Sequence, residues 1–260
     1  MAVKPALLTS FDHSGLKPEN TAIFLDFDGT LADFAEHPDA VSVPLPTREV
    51  LGRLEKSTRG ALAIVTGRPI ADIDRFLAPL SLPVAGVHGL ERRTAGGKRT
   101  AATIDSAKFT AMEEKLRAFT LAHPGTMVET KSGSLALHYR RRPELAEACM
   151  AAVHEAVDGF KGLHILHGKM VIEVKSGKAT KADAVAAFMG ETPFCGRVPL
   201  FAGDDVTDED AFREIARTGG ISIKIGHGST AAAFRTGGVA AFRDWLGLLA
   251  DSFDSRQLTA

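Results

Sequence analysis

The chain has 260 residues, 45% hydrophobic and 24% charged, with a formal net charge of −1. This is the composition of an ordinary folded protein and excludes a disordered, collagen-like or disulfide-scaffold chain; at this length roughly three quarters of the unfolded surface can be buried without a metal or disulfide staple. The near-neutral charge gives no general reason to expect nucleic acid or an anionic membrane as partner, and two cysteines without CxxC spacing, Cys149 and Cys195, fit a reduced compartment.

Residues 1–15 carry one lysine and a short apolar patch rather than the long apolar core of a signal peptide, and no apolar run approaches the roughly 18 residues of a membrane helix. The expectation is a soluble, cytoplasmic protein. The first strong element is the apolar run 22–25, which ends in Asp26 and reads as a buried strand. A helical pattern over 47–58 leads to a second run, 61–65, ending at Thr66-Gly67. Another, over 70–78, leads to a third, 83–87, ending at His88-Gly89.

The middle of the chain reads differently. A helical stretch at 107–121 precedes two β-like runs, 127–131 and 135–139, around Ser132-Gly133, a hairpin signal. A second helical stretch, 143–157, precedes runs 164–166 and 170–174 around His167-Gly168-Lys169, a second hairpin signal. The earlier pattern then resumes: run 200–202 ends at Gly203-Asp204-Asp205, and helix 208–217, run 221–225 and helix 239–250 follow. Near-continuous apolar strands alternating with helices predict an α/β fold with a parallel sheet covered on both faces. The central hairpins and helices predict a small α+β module, residues 96–177, inserted into a core formed by 1–95 and 178–260.

Polar residues collect at the ends of the apolar strands, where open parallel sheets build their sites. Asp26, Asp28, Gly29 and Thr30 follow the first strand; Asp204, Asp205 and Asp208 follow a later one. Carboxylates crowded at one sheet edge repel unless a cation joins them. Mg²⁺ is the natural one, since it takes one or two carboxylates and fills its shell with water and substrate phosphate. An Asp-Gly pair after a strand also makes ordinary turns, but two clusters of complementary chemistry favour a site.

Asp26-Phe27-Asp28-Gly29-Thr30-Leu31 resembles the first motif of the haloacid-dehalogenase superfamily of phosphotransferases; Thr66-Gly67-Arg68 resembles the second, Lys181 the third, and Gly203-Asp204-Asp205 with Asp208 the fourth. The resemblance implies a Rossmann-like core with a cap. It also implies that Asp26 is the nucleophile forming an aspartyl-phosphate and that Asp28 protonates the leaving oxygen and then activates water. Thr66 and Lys181 would contact the phosphoryl group. Asp26, the backbone of Asp28 and Asp204 would hold Mg²⁺, with Asp205 and Asp208 supporting them. Lys178 and Lys181 both lie near a helix start; Lys181 is preferred because Lys-x-Asp-Ala aligns better, although Ala182 stands where the family has Gly. These roles are chemically consistent: cations must neutralise the phosphoryl charge before a carboxylate can attack, and a covalent intermediate divides one hard step into two.

Val87-His88-Gly89-Leu90-Glu91, Leu137-His138-Tyr139-Arg140, Val171-Ile172-Glu173-Val174-Lys175, the stretch 28–38 and Gly203 through Phe212 resemble trehalose-6-phosphate phosphatases. By that resemblance Glu129, Lys131 and Glu173 of the cap bind glucose hydroxyls, Gly67 and Arg68 contact substrate, and the cap acts as a lid. Glu129 and Lys131 are two apart in a strand and share a face; a carboxylate in the apolar run around Glu173 is costly unless paired. Solvated sheet residues remain the alternative for all three, and structural ion pairs for Arg68 and Glu91.

The implied activity is Mg²⁺-dependent conversion of trehalose 6-phosphate to trehalose and phosphate. A related phosphatase for another sugar phosphate and a catalytically silent sugar-phosphate sensor are the alternatives. The partner is a small sugar phosphate, not nucleic acid or membrane; the sequence does not define the oligomeric state, and a monomer is the expectation. Gly226-His227-Gly228-Ser229-Thr230-Ala231 mimics a dinucleotide fingerprint but lies too near the C-terminus, and Gly177-Lys178 lacks the rest of a P-loop.

Overall fold

A computed structural model describes residues 5–35, 37–101, 106–131, 133–168, 170–177 and 179–257, with only the backbone at Ser14, Pro38, His88, Lys131 and Gln257. It divides into two compact units, Met1–Thr100 with Thr180–Ala260, and Ala101–Ala179. In chain order the elements are β1 (Ala6–Leu7), β2 (Thr21–Leu25), α1 (Leu45–Ser57), β3 (Leu62–Val65), α2 (Ile70–Leu77), β4 (Val84–Gly86), β5 (Glu91–Arg93) and β6 (Arg99–Ala101). There follow α3 (Ser106–Ala122), β7 (Met127–Lys131), β8 (Ser134–His138), α4 (Ala146–Val157), β9 (Leu163–Gly168), β10 (Val171–Ser176), α5 (Lys181–Met189), β11 (Val198–Gly203), α6 (Glu209–Arg217), β12 (Ile221–Ile225), β13 (Phe234–Thr236) and α7 (Val239–Gln257).

The first unit is built on a nine-stranded sheet of order β1-β13-β12-β11-β2-β3-β4-β5-β6. From β1 to β4 the neighbours run parallel, and β5 turns back antiparallel to β4. Alternation divides each central strand between two cores. Ile23 and Leu25 of β2 join Leu62, Ile64, Leu200 and Ile223 in a core completed by Leu51 and Leu54 of α1 and Phe242, Leu246 and Leu249 of α7. Ala22 and Phe24 face the other way, with Ala63, Val65 and Phe201, under Val185 and Phe188 of α5 and Phe212 and Ile215 of α6. Central strands buried on both faces therefore carry mostly apolar residues, and in β2, β3 and β11 polar residues follow at the carboxyl ends.

Several boundaries differ from the sequence reading. The third strand ends at Gly86 rather than residue 87, because Val87 takes a positive φ of 47° and opens a tight turn through Gly89. A short 3₁₀ turn, Val206–Asp208, precedes α6, and α7 continues seven residues past the expected position 250, to Gln257. The short strands β1, β5, β6 and β13 were not anticipated.

The second unit is a four-stranded antiparallel sheet, order β7-β8-β10-β9. Leu135, Leu137, Ile172 and Val174 point to one face and pack on Met112 and Leu116 of α3 and Cys149 and Val153 of α4. The opposite face holds the intervening positions. Glu129 pairs with Ala136, and Glu173 pairs with the same alanine from the other side, so the two glutamates flank a small residue on one face, about 10 Å apart across two strand spacings.

Candidate active site

The carboxyl ends of β2, β3 and β11 and the start of α5 bring the site together. Asp26 follows directly on β2, and its backbone N–H donates to Ala202 O at 2.9 Å. α5 begins at Lys181 because Thr180 caps it: the Thr180 hydroxyl accepts from the Asp183 N–H, and the Asp183 carboxylate accepts from the Thr180 N–H. That fixes Lys181 in the first turn, where its buried ammonium donates to Asp26 Oδ1 and Asp208 Oδ1, each at 2.7 Å. Asp26 Oδ2 accepts from the Thr30 hydroxyl at 3.2 Å. Asp208 uses its second oxygen to accept the Asp205 N–H at 2.8 Å, so both of its oxygens are engaged.

Asp204 joins this group: one ligand atom each from Asp26, Asp204 and Asp208 lie within 4.8 Å of one another, the only such cluster of three or more among the described residues. The all-oxygen donor set suits a hard divalent cation such as Mg²⁺. Gly29 makes room for it. Its φ is +73°, and a Cβ there would stand 2.2 Å from Asp204 Oδ2, so glycine is needed both for the turn and for the close approach of the carboxylate. Electrostatics agree with that fit. Burial, and after it Asp208 and Asp205, push the Asp204 carboxyl up to about 7. Burial likewise holds Asp26 well above the usual carboxylate range, reinforced by Asp208 and Asp204 and opposed by Lys181. For Lys181 burial is the largest influence and lowers the pKa, yet Asp208 and Asp26 together outweigh it and keep the ammonium protonated. The cluster is short of positive charge, as a cation site should be.

Asp28 lies beside this group but is held by a different residue. Arg68 grips it through Nε at 2.7 Å and Nη2 at 2.8 Å, a two-pronged carboxylate contact. The guanidinium lies over the Phe76 ring at 5.0 Å, and the Arg68 N–H donates to the Thr66 hydroxyl at 3.1 Å. Thr66, Gly67 and Arg68 thus form the turn after β3. Glu91 accepts the Ile70 N–H at 3.1 Å at the start of α2, which is a helix-terminus contact.

In the second unit, Glu129 Oε2 meets His138 Nε2 at 2.9 Å. The sequence placed His138 in a motif without a role; its position two residues beyond Ala136 on the same strand puts it on the face of Glu129 and Glu173. The Lys131 side chain and the alternative lysine Lys178 lie outside the described residues. One residue beside the first cluster was not singled out in the sequence. Lys224 of β12, only 5% exposed, donates to the Asp204 carbonyl. Its signal was a lysine flanked by isoleucines in the strand Ile221-Ser222-Ile223-Lys224-Ile225.

Residues 24–237 match the family model described as trehalose-phosphatase. Among similar proteins, the trehalose-6-phosphate phosphatase of Escherichia coli K12 is 38% identical over 236 residues, covering 91% of this chain and 89% of that protein. A probable trehalose-phosphate phosphatase of Sinorhizobium fredii is 44% identical over 212 residues, covering 80% and 78%. Among solved structures, the C-terminal domain of the C. albicans trehalose-6-phosphate phosphatase superposes with a TM-score of 0.81 at 23% identity, over 96% of this chain and 99% of that one. At that identity the likeness concerns the fold.

Proposed function

The chain belongs to the trehalose-phosphatase family, and from that premise we propose that it hydrolyses trehalose 6-phosphate to trehalose and phosphate, with Mg²⁺ at the acidic cluster and a phosphoryl ester on Asp26 as intermediate. The observation that carries this reading is the buried Lys181 bridge between Asp26 and Asp208 at 2.7 Å. It gives a nucleophilic carboxylate a fixed cation on one side and leaves the Asp204 side to a metal ion. Asp26 and Asp204, with the backbone carbonyl of Asp28, would hold Mg²⁺, which when bound supplies positive charge to the phosphoryl oxygens.

A carboxylate oxygen of Asp26 attacks phosphorus as the bond to the sugar oxygen breaks, and Asp28 gives that leaving oxygen its proton. Asp28 then takes a proton from water as the water oxygen attacks the same phosphorus. The phosphorus–Asp26 bond breaks, and the carboxylate and free phosphate result. Lys181, Thr66 and the backbone N–H groups after β2 donate to the phosphoryl oxygens, and Asp205 and Asp208 keep Lys181 and the Asp204 turn in register. Arg68, packed on Phe76, holds Asp28 through both oxygens, so in this scheme one of those contacts opens before Asp28 carries the leaving group's proton. We assign recognition of the sugar hydroxyls to Glu129, Lys131 and Glu173. Two glutamates flanking Ala136, with His138 against Glu129, form a polar row of the kind that hydrogen-bonds a hydroxyl-rich ligand.

The test is phosphate release from trehalose 6-phosphate beside glucose 6-phosphate, sucrose 6-phosphate and mannose 6-phosphate, with Mg²⁺ and with EDTA. Trehalose 6-phosphate is expected to be preferred in kcat/KM by on the order of a hundredfold, with activity lost in EDTA and restored by Mg²⁺. Preference for another of these esters overturns the sugar assignment and keeps the core chemistry. Activity indifferent to EDTA overturns the metal, and release from none of them favours a silent sugar-phosphate sensor.

A further inference from the structure

Lysines buried inside a folded unit need partners, because an unpaired ammonium loses its hydration without return. Lys181 is explained by the two carboxylates it joins. Lys224 is not explained by any role considered so far. It stands on β12 in register with Gly203 of β11, so its side chain starts beside the point where β11 ends and the Asp204-Asp205 turn begins. The ammonium donates to the Asp204 carbonyl and lies 3.5 Å from that of Asp205. Glu209, at the start of α6, places a carboxylate oxygen 3.9 Å away. Glu209 is itself anchored, accepting the Ala231 N–H at 2.8 Å.

We propose that Lys224 is a positioning residue for the cation site: by holding the Asp204 and Asp205 carbonyls it aims the Asp204 carboxylate at the metal and thereby sets the affinity for divalent cation. The proposal rests on the metal reading given above. Two consecutive carbonyls anchored to one ammonium leave the intervening backbone little freedom to rotate. The Asp204 carboxylate must stay within the narrow space that Gly29 leaves open, where a single Cβ would collide with it. The ammonium approaches the turn from its carbonyl side and contacts no carboxylate of the triad, so it steers the ligand without occupying it.

A charge effect and a positioning effect have opposite signs here, which makes the inference testable. A positive charge behind a cation site repels the cation, so if Lys224 acted through charge alone, removing it would tighten binding. If it acts by holding the turn, removing it weakens binding; loss of a group that orients a metal ligand costs about 10–100-fold in affinity. The experiment is calorimetric titration of the metal-free protein with Mg²⁺ alone, without substrate, for the parent chain, Lys224→Met and Lys224→Arg. The dissociation constant is expected to rise about tenfold or more in Lys224→Met and to stay within about threefold of the parent in Lys224→Arg, which keeps charge and donors. Unchanged or tighter binding in Lys224→Met overturns the proposal while leaving the metal reading intact. A parent chain that binds no Mg²⁺ overturns both. Should Lys224→Met fail to fold, Lys224→Gln is read instead. Its neutral amide ends one atom short of the ammonium position, so weaker binding is expected and parent-like binding overturns the proposal.

Discussion

Asp26 and Lys181 occupy the same buried contact at 2.7 Å, yet they stand in opposite relations to stability. The Asp26 carboxyl is held well above its usual range by burial first, then by Asp208 and Asp204. A carboxyl whose pKa is higher folded than unfolded binds its proton more tightly when folded. Its contribution to stability is therefore present at low pH and lost as pH rises above the unfolded value of about 4. Ionisation of Asp26 therefore works against the fold, a cost that the nucleophilic role proposed for it requires. Lys181 is the reverse, since it is the cation that makes two buried carboxylates tolerable. Replacing Asp26 with Asn is expected to cut turnover by about three orders of magnitude or more while the cation-free thermal midpoint stays level or rises. Replacing Lys181 with Met abolishes turnover too, but leaves Asp26 and Asp208 without their partner and costs about 3–5 kcal/mol. Phosphate release and a thermal melt of both variants separate the two roles. Parent-like turnover in Asp26→Asn removes it as nucleophile, and a large loss of midpoint in that variant contradicts the electrostatic reading.

At the scale of elements, what was legible in the sequence was what burial writes locally. Strands β2, β3 and β11 are covered on both faces, so their apolar runs announce them and the polar residues that follow mark their carboxyl ends. That is why Asp26, Asp28 and the Asp204 group stand out in the sequence, whereas Thr66 and Lys181 are singled out by the family resemblance. Elements stabilised by distant partners were not legible. β5 reads Glu-Arg-Arg and is a strand because β4 offers it an edge. The last turns of α7 are polar, and they stay helical where Arg53 of α1 pairs with Asp251 at 2.6 Å and Asp254 at 2.7 Å and Ser57 donates to Asp254. Lys224 was missed for the same reason: a lysine in a strand suggests solvent, and only the register with β11 shows that the Asp204-Asp205 turn covers it. The junction of β11 with its turn also carries a prediction. A Cβ on Gly203 would stand 2.2 Å from Asp208 Cγ, and Asp208 is the second anchor of Lys181. Gly203→Ala is therefore expected to displace Asp208 and lower kcat/KM by about tenfold or more, because small misplacements of a catalytic group are costly. Steady-state kinetics beside a circular dichroism spectrum would check this; parent-like kcat/KM in a folded variant means that the turn relaxes without moving Lys181.

For the whole molecule, a net charge of −1 supplies almost no general attraction for cations, so cation binding must arise from the local cluster and feed back on the fold that assembles it. Asp204 makes that feedback depend on pH. Burial, then Asp208 and Asp205, push its carboxyl up to about 7, so between about pH 4 and 7 the folded protein keeps a proton that the unfolded chain has released. Without cation, the stability due to Asp204 therefore declines as pH rises through that window and is level above it. A divalent ion competes with the same proton, since it binds the ionised carboxylate. Mg²⁺ added at about a hundredfold excess over its dissociation constant at pH 8 is expected to stabilise the unit carrying the cluster by about 2.7 kcal/mol, which is roughly 5–10 °C in its thermal midpoint. At pH 5 the proton holds the site, the apparent affinity falls about a hundredfold, and the same Mg²⁺ raises the midpoint by only about 1–2 °C. Scanning calorimetry at both pH values with Mg²⁺ and with EDTA measures the difference. Equal gains at pH 5 and pH 8 would remove Asp204 as the carboxylate where proton and cation compete. A gain confined to the higher pH ties the acidic turn after β11 to the stability of the sheet that carries it.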